Sequence, residues 1–195
     1  MPSVSAIILA AGESTRMGTQ KAVLPWEGTT LIEYELAQLA SIEDVREIIV
    51  VTGHDPAAIT RIVSRAERAR AVQNDAYRSG KVSSIRTAFA AVSADAAAIA
   101  LCAVDQPRSS SVLSTLIGEH LARGSLITLP EHRGHRGHPV IFSETLRSEI
   151  LAIDEATMGI RAVLERHAGD VHGVEFDDQV VLLDINTPQQ LEEAR

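Results

Sequence analysis

Aromatic residues are scarce: Phe, Trp and Tyr make up 3% of the 195 residues. The core must therefore be aliphatic. The abundance of Ala, Val, Ile and Leu favours apolar strands packed against Ala-rich helices. Cysteine is almost absent. Cys102 is the only one, so no internal disulfide can form, which suits a reducing cytoplasm. Lying inside an apolar run, Cys102 reads as a small buried hydrophobe rather than a nucleophile. A basic excess is also missing. The net charge of −8 and a pI near 5.3 make the chain a poor non-specific binder of nucleic acid or of an anionic membrane. No apolar stretch is long enough to span a bilayer, and no secretory signal pattern follows Met1. Repeats, linkers and low-complexity segments are lacking, and the expectation is a single domain over 1–195, acting in the cytoplasm without nucleic acid or membrane.

What is present is concentrated near the start. Val4 to Ala10 is an apolar run that reads as a buried strand. Ala11 to Lys21 then supplies small residues, Gly12 and Gly18, and two cations, Arg16 and Lys21. Small residues let backbone approach a ligand closely, and glycine allows turns that aim several N–H groups at one anion. Two cations add the charge that a polyphosphate needs. The segment lacks the Gly-Lys-Ser/Thr helix start of a Walker loop, and it lacks the third glycine and ribose carboxylate of a dinucleotide fingerprint. The alternative is a surface loop with solvated cations. The clustering of these residues behind one strand favours phosphate binding.

The rest of the chain alternates strands and helices. Helices are expected at Thr30–Ala40, after an N-cap at Asp55 with Pro56 at the first helical position, at Val82–Val92, Ser109–Leu121, Glu144–Ala152 and Gly159–His167, and after Thr187-Pro188. Strands are expected at Glu47–Thr52, Ala71–Gln73, Ala97–Val104, Leu126–Leu129, Val140–Phe142, Val171–Phe176 and Val180–Leu183. Pro130–His138 reads as a Gly/His/Arg-rich loop. The order implies an α/β fold: three layers, α/β/α, around a mostly parallel sheet. Ligands then lie beyond the carboxyl ends of strands, and polar motifs stand there after Leu9, Val72, Val104 and Leu183.

Asp105 ends the fully apolar run 97–104. A carboxylate there suits a site better than a core, and Mg²⁺ prefers a few carboxylate oxygens completed by water and substrate phosphates. The alternative is a turn aspartate that starts the Gln106-Pro107 bend. Asp184 and Asn186, two apart, share a face if the segment is extended. Asn186 or Thr187 capping the last helix is the competing use. Asn74 to Ser84 runs from a loop into a helix whose amides could face an anion, or is an ordinary helix start. His132, His135 and His138 fit no zinc spacing. Trp26 reads as a packing residue.

The segment Leu9-Ala10-Ala11-Gly12-x-Ser14-x-Arg16-Met17-Gly18-x-x-Lys21, followed by Leu24-Pro25, resembles the signature of the nucleotidyltransferases that activate sugars, polyols and pterins. Asn74 with Ser79 to Ser84, Val104-Asp105-Gln106-Pro107, Gly137-His138-Pro139, Gly159-x-Arg161 and Asp184 to Pro188 extend the likeness over nearly the whole chain. Within that superfamily the chain is most similar to the molybdenum cofactor cytidylyltransferases. The resemblance implies a Rossmann-like nucleotidyltransferase fold and transfer of CMP from CTP to the phosphate of molybdopterin, with release of pyrophosphate. It implies Mg²⁺, or Mn²⁺, held by Asp105 with Asp184 and Asn186. Arg16, Lys21 and Asp105 become catalytic. Leu9, Ala10, Ala11, Gly12, Asn74, Gly80 and Ser83 join those three in nucleotide binding, and Gly137, His138 and Pro139 face the acceptor. CTP is implied by Ala10-Ala11-Gly12, where guanylyltransferases carry a second glycine. Two departures stand out: Asn186 where the family usually has aspartate, and Lys81 where it often has a small or apolar residue. A molybdoenzyme or its chaperone is the further partner implied. The alternatives are GTP, a sugar or polyol phosphate as acceptor, or a non-catalytic nucleotide- or cofactor-binding accessory protein.

Overall fold

The computed structural model describes residues 3–156 and 159–194, and of Arg16 the backbone alone. The chain runs β1 (Ser3–Ala10), β2 (Pro25–Trp26), β3 (Thr29–Thr30), α1 (Leu31–Ala40), β4 (Val45–Thr52), α2 (Ala57–Val63), β5 (Ala69–Gln73), α3 (Lys81–Ala91), β6 (Ala96–Ala103) and α4 (Ser110–Arg123). It continues through β7 (Ile127–His132), β8 (His135–Arg136), β9 (Val140–Ser143), α5 (Arg147–Leu151), α6 (Ile160–Arg166), β10 (Val171–Glu175) and α7 (Pro188–Glu193). The main sheet has the order β10-β7-β9-β6-β1-β4-β5, with β8 paired to β7. β1 lies parallel between β4 and β6, Ala6 facing Ile48 on one side and Ala100 on the other.

Alternation of side chains along the central strands produces the three layers. Val4, Ala6, Ile8 and Ala10 of β1, Ile48 and Val50 of β4, and Ala98, Ala100 and Cys102 of β6 all enter one core. That core is closed by Leu31, Leu36 and Leu39 of α1, Ile59 of α2, Leu113 and Leu116 of α4, and Leu191 of α7. The intervening residues Ile7, Leu9, Ile49, Val51, Ile99 and Leu101 enter the opposite core, under Ile85 and Phe89 of α3, Ile150 of α5 and Val163 of α6. Both parities are apolar because both faces are covered, which explains the continuous hydrophobic runs.

Local signals in the sequence account for most element ends. Thr30 caps α1 in a reciprocal box, Thr30 N–H donating to Glu33 Oε2 at 3.1 Å and Glu33 N–H to the Thr30 hydroxyl at 3.4 Å. Thr187 and Gln190 repeat the device at α7, with Pro188 at its first turn. Trp26 is buried edge-on to Tyr34, as a packing residue. Three expectations need correction. Asp55 does not cap α2. It adopts φ 41°, and Pro56 holds the cap position. Residues 130–138 are not an irregular loop: β7 continues to His132, turns through Arg133 and Gly134 at positive φ, and returns as β8. β9 runs antiparallel to both β6 and β7. Val180–Leu183 is no strand. Gln179–Leu182 forms a 3₁₀ turn capped by Asp178, whose carboxylate accepts Val180 N–H at 2.8 Å, because four apolar residues carry no period that separates strand from turn.

Candidate active site

The chain passes from β1 outward to β4 and β5, then returns across the sheet to β6 on the other side of β1. That reversal opens a crevice beyond the carboxyl ends of β1 and β6, where open α/β sheets bind ligands. A cleft of about 210 Å³ lies there, lined by Leu9, Ala10, Gly12, Ser14, Thr15, Gln20, Lys21, Asp105 and Asn186 among others. It is the first motif of the sequence folded against the end of the longest apolar run.

The loop after β1 is held at both ends. Ser14, at φ 52°, accepts Lys21 N–H on its hydroxyl at 3.1 Å and Met17 N–H on its carbonyl at 2.9 Å. The Gln20 amide donates to the carbonyls of His54 and Asp55, at 2.9 and 3.2 Å, tying the loop to the end of β4. Gly53 is required by this packing, since a Cβ there would stand 2.7 Å from the Ala11 carbonyl oxygen. Arg16 lies on the 3₁₀ turn Thr15–Met17, and its side chain is outside the described structure.

Lys21 Nζ donates to Asp105 Oδ2 at 2.6 Å and to Asn186 Oδ1 at 2.7 Å. A carboxylate oxygen from the middle of the chain and an amide oxygen from near its C-terminal end thus converge on one cation. The backbone aligns them: Ile185 N–H donates to the Asp105 carbonyl at 2.8 Å, and Val104 N–H to that of Leu9 at 3.1 Å. Asp184 does not share this point. It is exposed and lines a separate depression with Gln179, Leu183 and Gln190. Among the described residues no three His, Cys, Asp or Glu side chains form a metal cluster.

The Asn74–Ser84 region turns inward. Asn74 is buried and donates through Nδ2 to the hydroxyls of Ser83 and Ser84, at 2.8 and 2.9 Å. Its Oδ1 accepts Ala76 N–H at 3.0 Å, and the Ser83 hydroxyl donates to the Gly80 carbonyl at 2.8 Å. These groups shape the loop and do not line the cleft. Gly80 sits at φ 118° against Glu155, whose carboxylate accepts Val82 N–H at 2.7 Å at the start of α3. Ala11 also faces away, into the core beneath α3.

Gly137, His138 and Pro139 pass beside the 181–183 turn. His138 N–H donates to the Val181 carbonyl at 3.2 Å, and Gly137 packs so tightly that a Cβ would collide with the same oxygen. Burial, then the charges of Lys81 and Arg108, hold the His138 imidazole below its ordinary pKa. His135 is exposed on β8, and His132 Nδ1 lies 2.8 Å from the Phe176 carbonyl. Cys102 is a buried free thiol whose pKa burial pushes well up, which removes it as a nucleophile.

Two buried charged residues escaped sequence reasoning. Arg108 is 2% exposed, and its guanidinium donates only to backbone carbonyls. Following a proline just ahead of a helix, it carried no signal. Glu35 is 1% exposed, and its carboxyl is pushed up to about 8 by burial. Its signal was available: Glu35 interrupts the apolar stripe Leu31, Ile32, Leu36 and Leu39 of α1.

A switch-point crevice with a small-residue loop, a lysine and a strand-end aspartate defines an α/β nucleotide-handling enzyme fold. Residues 6–171 match the family described as MobA-like NTP transferase domain, and the chain belongs to that family. It is a nucleotidyltransferase, and so an enzyme. The molybdenum cofactor cytidylyltransferase of Escherichia coli (strain K12) is 28% identical over 195 residues, covering 100% of this chain and 97% of that one. The nicotine blue oxidoreductase of Paenarthrobacter nicotinovorans is 28% identical over 203 residues, covering 98% and 96%. Among solved structures, Rv0371c from Mycobacterium tuberculosis H37Rv superposes with a TM-score of 0.81 at 24% identity, over 99% of this chain and 97% of that one. The same protein is also described in complex with manganese, at a TM-score of 0.74.

Proposed function

We propose that the chain, acting as one cytoplasmic domain, transfers CMP from CTP to the phosphate of molybdopterin or a close pterin relative, and releases pyrophosphate. The observation that carries this reading is the convergence of Lys21, Asp105 and Asn186 at the mouth of the β1–β6 crevice. The similarity to the Escherichia coli cytidylyltransferase over the full chain supports the choice of nucleotide and acceptor.

A divalent metal fits the residues present. Asp105 Oδ2 and Asn186 Oδ1 already place two hard oxygens around one positive group, the Lys21 ammonium. Such a site, with few protein ligands, is completed by phosphate and water, which suits Mg²⁺ or Mn²⁺. Asp105 and Asn186 would hold the ion, with Asp184 adding negative potential from outside the cleft. When bound, the ion neutralises charge on the phosphate oxygens.

The chain's own residues supply positioning and field. Amides of the loop around Gly12 and the cations Arg16 and Lys21 bind the triphosphate. An oxygen of the acceptor phosphate attacks the α-phosphorus in line. One P–O bond forms as the bond to the β-phosphate oxygen breaks, and the electron pair leaves with pyrophosphate. The attacking oxygen is already ionised, so no protein base has to accept a proton. Lys21, in reach of the cleft, offsets the charge that develops on the leaving group. Gly137, His138 and Pro139 lie on the acceptor side, where a neutral imidazole can accept or donate one hydrogen bond.

The decisive experiment measures pyrophosphate release with CTP and with GTP, each with and without molybdopterin, in the presence of Mg²⁺. CTP-specific, molybdopterin-dependent release is expected. Release with GTP, or with a sugar or polyol phosphate instead, would reassign the substrate. The oxidoreductase relative motivates one further arm: oxidation of a reduced nicotinamide with no pyrophosphate release would overturn the reading.

A further inference from the structure

Among the described residues Arg108 is the largest fully buried side chain, and it reaches neither substrate cleft nor solvent. Its guanidinium donates through Nε to the His138 carbonyl at 2.9 Å, through Nη1 to that of Pro107 at 2.9 Å, and through Nη2 to those of Val181 and Leu183 at 2.8 and 2.9 Å. These carbonyls belong to three segments far apart in sequence. Pro107 lies two residues after Asp105, His138 is in the loop before β9, and Leu183 lies three residues before Asn186.

The three segments meet at one atom. The Val181 carbonyl oxygen accepts from Arg108 Nη2 and from His138 N–H, and it presses on Gly137 where a Cβ would collide. A guanidinium is planar, keeps its charge and presents five donors in a rigid fork. Only such a group satisfies four carbonyls that point inward from three directions. Behind it, the buried carboxyl of Glu35 on α1 lies near Arg108, whose charge opposes the effect of burial on it, and Ser110 N–H donates to the Gln38 amide oxygen at 2.7 Å. The turn after Asp105 is thereby anchored to α1 on one side and, through Arg108, to the two loops on the other.

We propose that Arg108 is a positioning residue that sets the spacing between Asp105, Asn186 and His138, and so locks the nucleotide half of the site to the acceptor half. It touches no reacting atom. The assignment to halves rests on the function proposed above, whereas the clamp itself does not. The hydrogen bonds of the Arg108 guanidinium all go to carbonyls outside the loop after β1, so nucleotide binding through Gly12 and Lys21 is largely spared when the clamp is weakened. The acceptor then sits at the wrong distance from the α-phosphorus.

The test compares wild type, Arg108→Lys and Arg108→Gln by amide hydrogen exchange and by kinetics. Lysine keeps the charge but lacks the fork. In Arg108→Lys, peptides covering 137–140 and 181–186 are expected to exchange together, about 10-fold faster, with 11–21 unchanged. Faster exchange confined to 107–110, or spread over the whole chain, would overturn the clamp. In the kinetic arm, kcat/KM for the acceptor falls by about 10²-fold, the effect of an ångström-scale misplacement, while the Kd for CTP stays within about twofold. A loss equal to the loss of folded protein, with KM unchanged, would reduce Arg108 to a stability role and overturn the proposal. Where Arg108→Gln does not fold, Arg108→Lys decides. Absence of pyrophosphate release by wild type with any nucleotide and acceptor would remove the functional reading, and the exchange arm would still decide the clamp.

Discussion

Lys21 Nζ stands 2.6 Å from Asp105 Oδ2, an ion pair across 84 residues of sequence that is largely shielded from solvent. The same ammonium reaches Asn186, so residues from both ends of the chain and from its middle are drawn to one point. A pair in this setting interacts more strongly than one on an open surface, because water screens it less. Each partner can also exchange the other for a stronger one, the lysine for a triphosphate and the carboxylate for a divalent ion.

Asp105→Ala should fold and lose transfer by about 10³-fold or more, as expected when a charge clamp on a phosphoryl group is removed. The fold survives because the turn is held by the Asp105 backbone, whose carbonyl accepts Ile185 N–H. Single-turnover pyrophosphate release with Mg²⁺, beside a melting curve, checks both halves. Wild-type-like turnover would sink the metal assignment.

Lys21→Met should slow the chemical step by about 10²-fold and change the acceptor KM little. It also frees the two oxygens that the ammonium occupies. Mn²⁺ binding without nucleotide, followed by the paramagnetic resonance of the free ion, should therefore tighten several-fold. Weaker binding would show that Lys21 organises the ligands instead of competing for them.

Glu35→Gln should remove a pH dependence from stability. In the fold its carboxyl is held up to about 8, from an ordinary 4.5, by burial and the nearby Asp105, with Arg108 opposing. Between those values the folded protein keeps a proton that the unfolded chain has released. The stabilisation is complete below pH 4.5 and drains as pH rises to 8, by about 1.4 kcal/mol per unit at most. His120, held down to about 4 by burial beside Thr128, acts with the opposite sign, losing stability as pH falls from 6.5 to 4. Denaturant titrations between pH 6.5 and 8 isolate Glu35. Wild type should weaken across that window and the variant stay flat.

Gly137→Ala should cost about 2 kcal/mol or more, since two backbones must part to admit one methyl group. The variant's melting temperature falls, and because the Val181 carbonyl is displaced from Arg108 and His138, acceptor use suffers more than nucleotide binding. A neutral substitution would mean that the 181–183 turn yields freely.

Asn74→Ala should destabilise by about 2–3 kcal/mol, because the Ser83 and Ser84 hydroxyls and Ala76 N–H lose their common partner in a buried setting. Thermal denaturation measures it. Unchanged CTP affinity in the folded variant would place Asn74 in the scaffold rather than in nucleotide contact.

The architecture was legible because its signals are local or periodic. Unbroken apolar runs marked the strands covered on both faces, and the cap at Thr187 marked a helix start. Asp105 was conspicuous at the end of an unbroken apolar run. Signals failed where structure is set by partners distant in sequence. Asp184 and Asn186 share a face only in an extended segment, whereas in the fold Asn186 lines the cleft and Asp184 a separate depression. Ser83 reads as a free hydroxyl until Asn74 is seen to claim it.

By itself the sequence determined the layers, the strand-end loop and the chemistry on offer: an acidic, nearly cysteine-free chain with a few cations beside glycine. Hydrophobic period and turn chemistry act over a few residues, so they can be read from the chain. Only the tertiary structure decided that Lys21 meets Asp105 and Asn186, that Glu35 and Arg108 are buried behind them, and that one guanidinium binds three segments into a single site. Those contacts depend on strand order and on how far each loop reaches, and neither is encoded within any one stretch of residues.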